Sequence, residues 1–386
     1  MALHREPNAT RSDPRTIRTT MAAGRETAPS AYPAVQLFNK ESVIGEEALY
    51  ISAKKCWSGV GRKFSAQSYA VGIIEKTVQL ARQLRDGSYR EGKTRVVTIE
   101  YPKKRTAMSI TFRDRVFQRS LNDTALYPQI VRSFVYANYA CQRGKGTDAA
   151  ISAFKAMLHR AFLKFGTNDF RILSCDIEHY YDAMLHAVTD QLFADHCDEW
   201  TAQTASATLA HQYKGDRGYN PGSQMVQIAG ISYLSPIDHF IKDTLGVKLY
   251  VRYMDDFHLV CRTDEESAAL LPRIADRLRP IGLSLHPEKT AVHKASDGVL
   301  FLGYVFKVTA SGKVLMFRDP KRVKENRRKL RRLAALVRRG RRTAEDFDRS
   351  CECIRACIAK GNSARLIRNM DQFTKQLKEE INAALQ

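Results

Sequence analysis

The run Lys248-Leu-Tyr-Val-Arg-Tyr253-Met-Asp-Asp-Phe257-His-Leu-Val260 constrains the fold of this chain more than any other segment. Leu249, Val251 and Tyr253 alternate before an acidic pair, and Phe257 and Leu259 resume the alternation after it. That pattern predicts strand, tight turn, strand, with Asp255 and Asp256 at the tip. Adjacent aspartates flanked by β-formers raise each other's pKa and repel. A pair of divalent cations removes that cost, and two-metal phosphoryl transfer uses such an arrangement, with the ions roughly 3.5–4 Å apart. A plain hairpin turn is the competing reading, because Asp is a common turn residue.

A second acidic strand end weighs against the plain turn. Arg171-Ile-Leu-Ser-Cys-Asp176-Ile-Glu-His-Tyr-Tyr181 is an apolar run ending in an aspartate, followed by two aromatics. Alone, Asp176 would read as a helix N-cap after a strand. If the two strands are neighbours in one sheet, all three carboxylates meet.

A chain of 386 residues, 44% of them apolar, can bury one large core or two to three subdomains. The formal net charge of +21 implies a polyanionic partner. Nucleic acid stands ahead of a membrane surface, because phosphate contacts release counterions. No apolar run approaches the ~20 residues of a spanning helix, and no signal-peptide pattern opens the chain. A cytoplasmic protein is expected. Eight cysteines scattered through apolar segments suit a reducing compartment. In Cys351-x-Cys353-x3-Cys357, Cys353 and Cys357 share a helical face and Cys351 does not, so the cluster reads as core rather than zinc site.

Residues 1–35 read as a disordered basic tail, and residues 40–90 carry helical periodicity. A strand at 95–101 follows, then helices at 113–127 and 147–165 around a polar segment. Helical stretches near 186–213 precede the Gly/Pro-rich loop Lys214–Gly222, which opens a long helix to about 244. Beyond the hairpin come a helix at 264–279 and strands at 283–285, 299–307 and 313–318. Helices alternating with a short mixed sheet predict an α+β fold. From Lys321 to Arg342 basic residues dominate, with Val323, Leu330, Leu333, Leu336 and Val337 on one stripe. That helix is either a solvated charged face or one that tracks a phosphate backbone.

With both acidic strands placed, the chain resembles a reverse transcriptase of the compact bacterial and phage type, related to group II intron and retroelement enzymes. The likeness runs from about Tyr101 to Tyr304. Gly282-Leu-Ser-Leu-His-Pro-Glu-Lys289 is similar to the family's next palm motif, and Phe301-Leu-Gly-Tyr304 to its primer-grip hairpin. Pro102-Lys103-Lys104-Arg105 and Phe112-Arg-Asp-Arg115 resemble fingers motifs. The resemblance implies a right-hand polymerase: N-terminal extension and fingers at 36–170, palm at 171–319, basic helical thumb at 320–386.

It also implies residue roles. Asp176, Asp255, Asp256 and the Ile177 carbonyl would bind two Mg²⁺, or Mn²⁺ in their place. Lys103 and Arg105 would clamp the triphosphate, and Lys289 would act near the leaving group as general acid or as plain charge. Tyr181 would lie under the incoming sugar and collide with a 2′-hydroxyl, favouring deoxynucleotides. The alternative places Tyr181 in the core and Tyr180 at the site. Gly222-Ser-Gln-Met-Val226-Gln227 matches the loop that holds the templating pair, with Val226 where the family carries Ser. Gln142 stands where relatives tend to carry Arg, and Arg143 or Lys145 could supply that charge.

The implied partners are template RNA, the cDNA product and deoxynucleotides, without a membrane. Phage defence or an unclassified retroelement is the expected setting. One alternative is a diversity-generating retroelement, which would add an accessory protein. Another is a catalytically silent RNA-binding protein that keeps the fold.

Overall fold

The computed structural model describes residues 40–100, 105–220 and 222–385. The tail expected at 1–35 and the segment Pro102-Lys103-Lys104 lie outside the described residues, as does the side chain of Arg105.

Strands form where β-branched and aromatic residues alternate. β1 (Arg95–Ile99) and β2 (Arg105–Ser109) pair antiparallel into a ribbon that leaves Val96, Val97 and Ile99 exposed. The central sheet takes β3 (Arg171–Cys175), β4 (Tyr250–Tyr253), β5 (Asp256–Cys261) and β6 (Ala291–Lys294) in the order β4-β5-β3-β6. A smaller sheet joins β7 (Val299–Phe301), β8 (Tyr304–Val308) and β9 (Val314–Arg318). Every pairing in these sheets is antiparallel, which corrects the expected mixed sheet.

The central sheet is buried on both faces, as the two-residue period requires. Leu173, Phe257 and Leu259 join a core built with the N-terminal helices and the Gln224–Tyr233 helix. Ile172, Val251 and Val260 face the other way, onto the Thr147–Phe165 helix and Phe301 and Phe306 of the smaller sheet. The helix expected to run to about 244 is broken. It ends at Tyr233, restarts at Ser235–His239 with Pro236 in its first turn, and finishes in a π turn at Phe240–Thr244. Proline has no N–H to continue the ladder. The helix expected to 127 likewise passes through a π turn at Asn122–Leu126. Residues 283–285 give only an isolated bridge, Leu285 to Ile177, rather than a strand.

Three C-terminal helices, Pro320–Arg338, Ala344–Ala359 and Ala364–Leu385, enclose a core of their own. Leu330, Val337, Phe347, Ile358, Met370 and Ile381 fill it. Each fully buried aliphatic or aromatic side chain there is worth about 1.5–3 kcal/mol. Fixed tethers join this bundle to the smaller sheet: the Tyr304 hydroxyl donates to the Cys357 carbonyl at 2.7 Å, and Met316 N donates to Asn362 Oδ1 at 2.9 Å.

Candidate active site

Strand register sets the acidic cluster. Cys175 of β3 lies opposite Phe257 of β5, and one further step along both strands sets Asp176 opposite Asp256. Tyr253 pairs with Asp256, which leaves Met254-Asp255 as a two-residue turn. Met254 has φ of 59°, in the left-handed region. A side chain there costs roughly 1–2 kcal/mol, so its surroundings must hold the turn in place.

Arg252 does much of that holding. It is fully buried, beside an equally buried Asp238. Its Nε and Nη2 donate to the two Asp238 oxygens at 2.7 and 2.6 Å, and Tyr250 donates to the same carboxylate at 2.6 Å. Its Nη1 donates to the Met254 carbonyl at 2.8 Å, and Nη2 to the Ile231 carbonyl at 2.9 Å. One guanidinium thereby ties the strained turn to the Gln224–Tyr233 and Ser235–His239 helices.

The three carboxylates sit in unlike surroundings. Half-buried Asp255 has its pKa pushed up to about 6, first by burial and then by Asp176 and Asp256, with Lys289 opposing. Asp176 Oδ2 lies 2.5 Å from Lys289 Nζ. Asp256 Oδ1 lies 3.1 Å from Nε2 of the buried His258, a contact too poorly aligned to count as a hydrogen bond. The other His258 nitrogen meets Ser174 Oγ at 2.9 Å, and its ring stands edge-on to Phe154 and Phe301.

Whether these groups suit Mg²⁺ can be judged from their chemistry. Carboxylate oxygens are the donors hard cations take, and mutual crowding already raises the proton affinity of Asp255. The Ile177 carbonyl accepts no hydrogen bond among the described residues, whereas the neighbouring Asp176 carbonyl accepts from His286 N at 2.8 Å. No three acidic, His or Cys side chains among the described residues are drawn into a closed ligand set. Asp176 is turned to Lys289 and Asp256 to His258. The donors fit a divalent ion once those two contacts open.

The remaining expected site residues divide. Tyr180 is buried, its hydroxyl donating to the Gly230 carbonyl. Asp255 contributes to raising the pKa of both tyrosines, so both lie near the acidic cluster, and exposure separates them: Tyr181 is the half-buried one. A Cβ at Gly222 would stand 3.1 Å from the Met108 carbonyl, so β2 passes close over that loop. Gln227 is exposed, and Val226 is buried behind Ser223, whose hydroxyl caps the helix by accepting from Val226 N at 3.2 Å. Arg105 opens β2; Lys103 lies outside the described residues. Lys145 turns inward to the Tyr136 and Asn138 carbonyls at 2.8 and 2.9 Å. Arg143 stays exposed, stacked on Tyr127. Of the cysteine cluster read as core, Cys351 packs against the C-terminal core, whereas Cys353 is exposed and lines a neighbouring cleft with Cys357, so the core reading holds only in part.

Sequence reasoning missed His258, Ser174, Arg252, Asp238 and Gly230. Only the glycine left a signal, standing alone in the apolar helix Gln-Met-Val-Gln-Ile-Ala-Gly-Ile. It also missed a cleft of about 520 Å³ between the first two C-terminal helices, lined by Arg318, Lys329, Arg332, Arg342 and Arg349.

An antiparallel palm with an acidic hairpin tip, a β-ribbon above it and a helical bundle beyond it is the right hand of a polymerase: palm, fingers and thumb. The chain belongs to the reverse transcriptase (RNA-dependent DNA polymerase) family, whose model matches residues 102–306, more than half of the 386. No curated protein matches the chain. No helix among the described residues is long and apolar enough to cross a membrane.

Proposed function

We propose that this chain is an active RNA-directed DNA polymerase that adds deoxynucleotides to a primer 3′-hydroxyl on an RNA template. The observation that carries the reading is the β3–β5 register, which sets Asp176 across from Asp256 with the crowded Asp255 at the tip. Asp176, Asp255, Asp256 and the Ile177 carbonyl would hold two Mg²⁺ or Mn²⁺ ions, which acidify the primer hydroxyl and neutralise the triphosphate and leaving pyrophosphate.

The chain's own groups do the rest. Lys103 and Arg105 draw the triphosphate into line from the fingers. Lys289 leaves Asp176 for the departing pyrophosphate, as proton donor or as fixed charge. Gly222 and Gln227 border the templating pair, and the Tyr181 ring excludes a 2′-hydroxyl. Residues 36–170 serve as N-terminal extension and fingers, 171–319 as palm, 320–386 as thumb, in a cytoplasmic enzyme of phage defence or an unclassified retroelement.

The test is primer extension on poly(rA)/oligo(dT) with Mg²⁺, wild type beside Asp255→Ala/Asp256→Ala. Wild type should incorporate dTTP; the double variant should lose synthesis and keep its RNA affinity. Tight RNA binding by a wild type that incorporates nothing would leave a silent RNA-binding protein instead. Sequencing the nucleic acid that co-purifies with the protein separates a dedicated non-coding RNA, as in defence, from the template RNA of a diversity-generating retroelement.

A further inference from the structure

Tyr180 and Tyr181 both rest on one residue, Gly230, in the middle of the Gln224–Tyr233 helix. Tyr180 donates its hydroxyl to the Gly230 carbonyl. Tyr181 lies against the side where a side chain would be: a Cβ at position 230 would stand 3.0 Å from both Cε1 and the hydroxyl oxygen of Tyr181, and 3.2 Å from Cζ. Protein Cβ atoms rarely approach so closely. The phenol edge is therefore seated directly on helix backbone.

Three observations make this a functional seat rather than ordinary packing. Position 230 has no left-handed φ, so the backbone does not call for glycine. Glycine is also the poorer helix former there, which leaves the close approach of the ring as its physical reason. Among the described residues the Tyr181 hydroxyl makes no hydrogen bond, unlike those of Tyr180 and Tyr233. Contact alone sets the ring's height.

We propose that Gly230 is a specificity-determining positioning residue: by lacking a side chain it lets the Tyr181 ring sit low enough to admit a deoxyribose and still exclude a ribose. The inference rests on the reading of Tyr181 as the residue beneath the incoming sugar. A methyl at position 230 makes the ring give way by a few tenths of an ångström, and on this proposal it moves towards the sugar. The gate then closes on the correct substrate too.

Gly230→Ala tests this, because alanine favours the helix and the variant should fold. It should raise the dTTP KM on poly(rA)/oligo(dT) roughly 10-fold, the usual worth of one methyl in a tight pocket, with kcat nearly unchanged. Adding Tyr181→Phe removes the hydroxyl contact and should recover part of that loss. In a Tyr181→Ala background the same Gly230→Ala change should leave the dTTP KM where it was. A KM rise that persists without the ring overturns the proposal, as does no rise at all. Fluorotyrosine at position 181 reports the ring without any synthesis: Gly230→Ala should shift its fluorine resonance, and an unmoved resonance also overturns the seat. Failure of the underlying reading looks different, since Tyr181→Ala would then leave ribonucleotide exclusion intact while the resonance still moved.

Discussion

Asp255 carries an electrostatic load that can be measured without any chemistry. Its pKa stands near 6 in the fold against an ordinary 3.8, so the folded state binds this proton more tightly than the unfolded chain does. The associated stability is present at low pH and is lost as pH rises between those two values. In chelator at pH 7, Asp255→Asn should therefore unfold later in urea than wild type, by on the order of 2 kcal/mol. At pH 4 the difference should vanish. Excess Mg²⁺ should reverse the order, because only the wild type gains ligand stabilisation. Equal midpoints in chelator at pH 7 would show that neither burial nor the neighbouring carboxylates load the ionised Asp255.

The element that matters most is the hairpin, and its sequence was readable because alternation brackets the acidic pair so cleanly. What holds it was not. Asp238 and Arg252 are neither on one helix face nor on paired strands, so no periodicity links them; only the fold does. The same holds for Ser174 and His258, which meet through β3–β5 register. Strand β6 was missed because its burial alternates weakly and its side chains are partly exposed. The π turns escaped because a one-residue insertion barely disturbs an apolar stripe.

The buried pair makes its own prediction. Arg252→Lys keeps a cation near Asp238 but cannot span Asp238, Ile231 and Met254 with one planar group. Single-turnover extension should fall by more than 10-fold, as small misplacements at reacting groups cost, with template–primer affinity retained. Adding Met254→Gly, which adopts a left-handed φ without penalty, should restore part of the rate. No recovery would mean that Arg252 stabilises the palm at large rather than the turn.

Across the whole molecule the charge of +21 is unevenly employed. The basic C-terminal run was legible as one helix with one apolar stripe, but the sequence could not assign its arginines to sides. Arg327 and Arg331 stack on Phe373 of the last helix, at 5.5 and 5.1 Å from the ring centre. Lys329 and Arg332 line the cleft, with Arg349 opposite. Replacing Lys329, Arg332 and Arg349 by Gln should flatten the salt dependence of RNA binding by about 0.7–0.9 per lost phosphate contact. Replacing Arg327 and Arg331 should instead lower the melting temperature and leave that slope alone. A slope that responds to the stacked pair and not to the cleft would reverse the assignment.

The C-terminal bundle is moored to the smaller sheet through Tyr304 to Cys357 and Met316 to Asn362, and to the Thr147–Phe165 helix through an ion pair between Lys360 and Asp148 at 2.6 Å. Load placed on that bundle by a product duplex is thus delivered to the β8–β9 hairpin rather than dissipated in a slack joint. How far such an enzyme travels before letting go, and how squarely it presents the growing end, would be two readings of a single mechanical linkage.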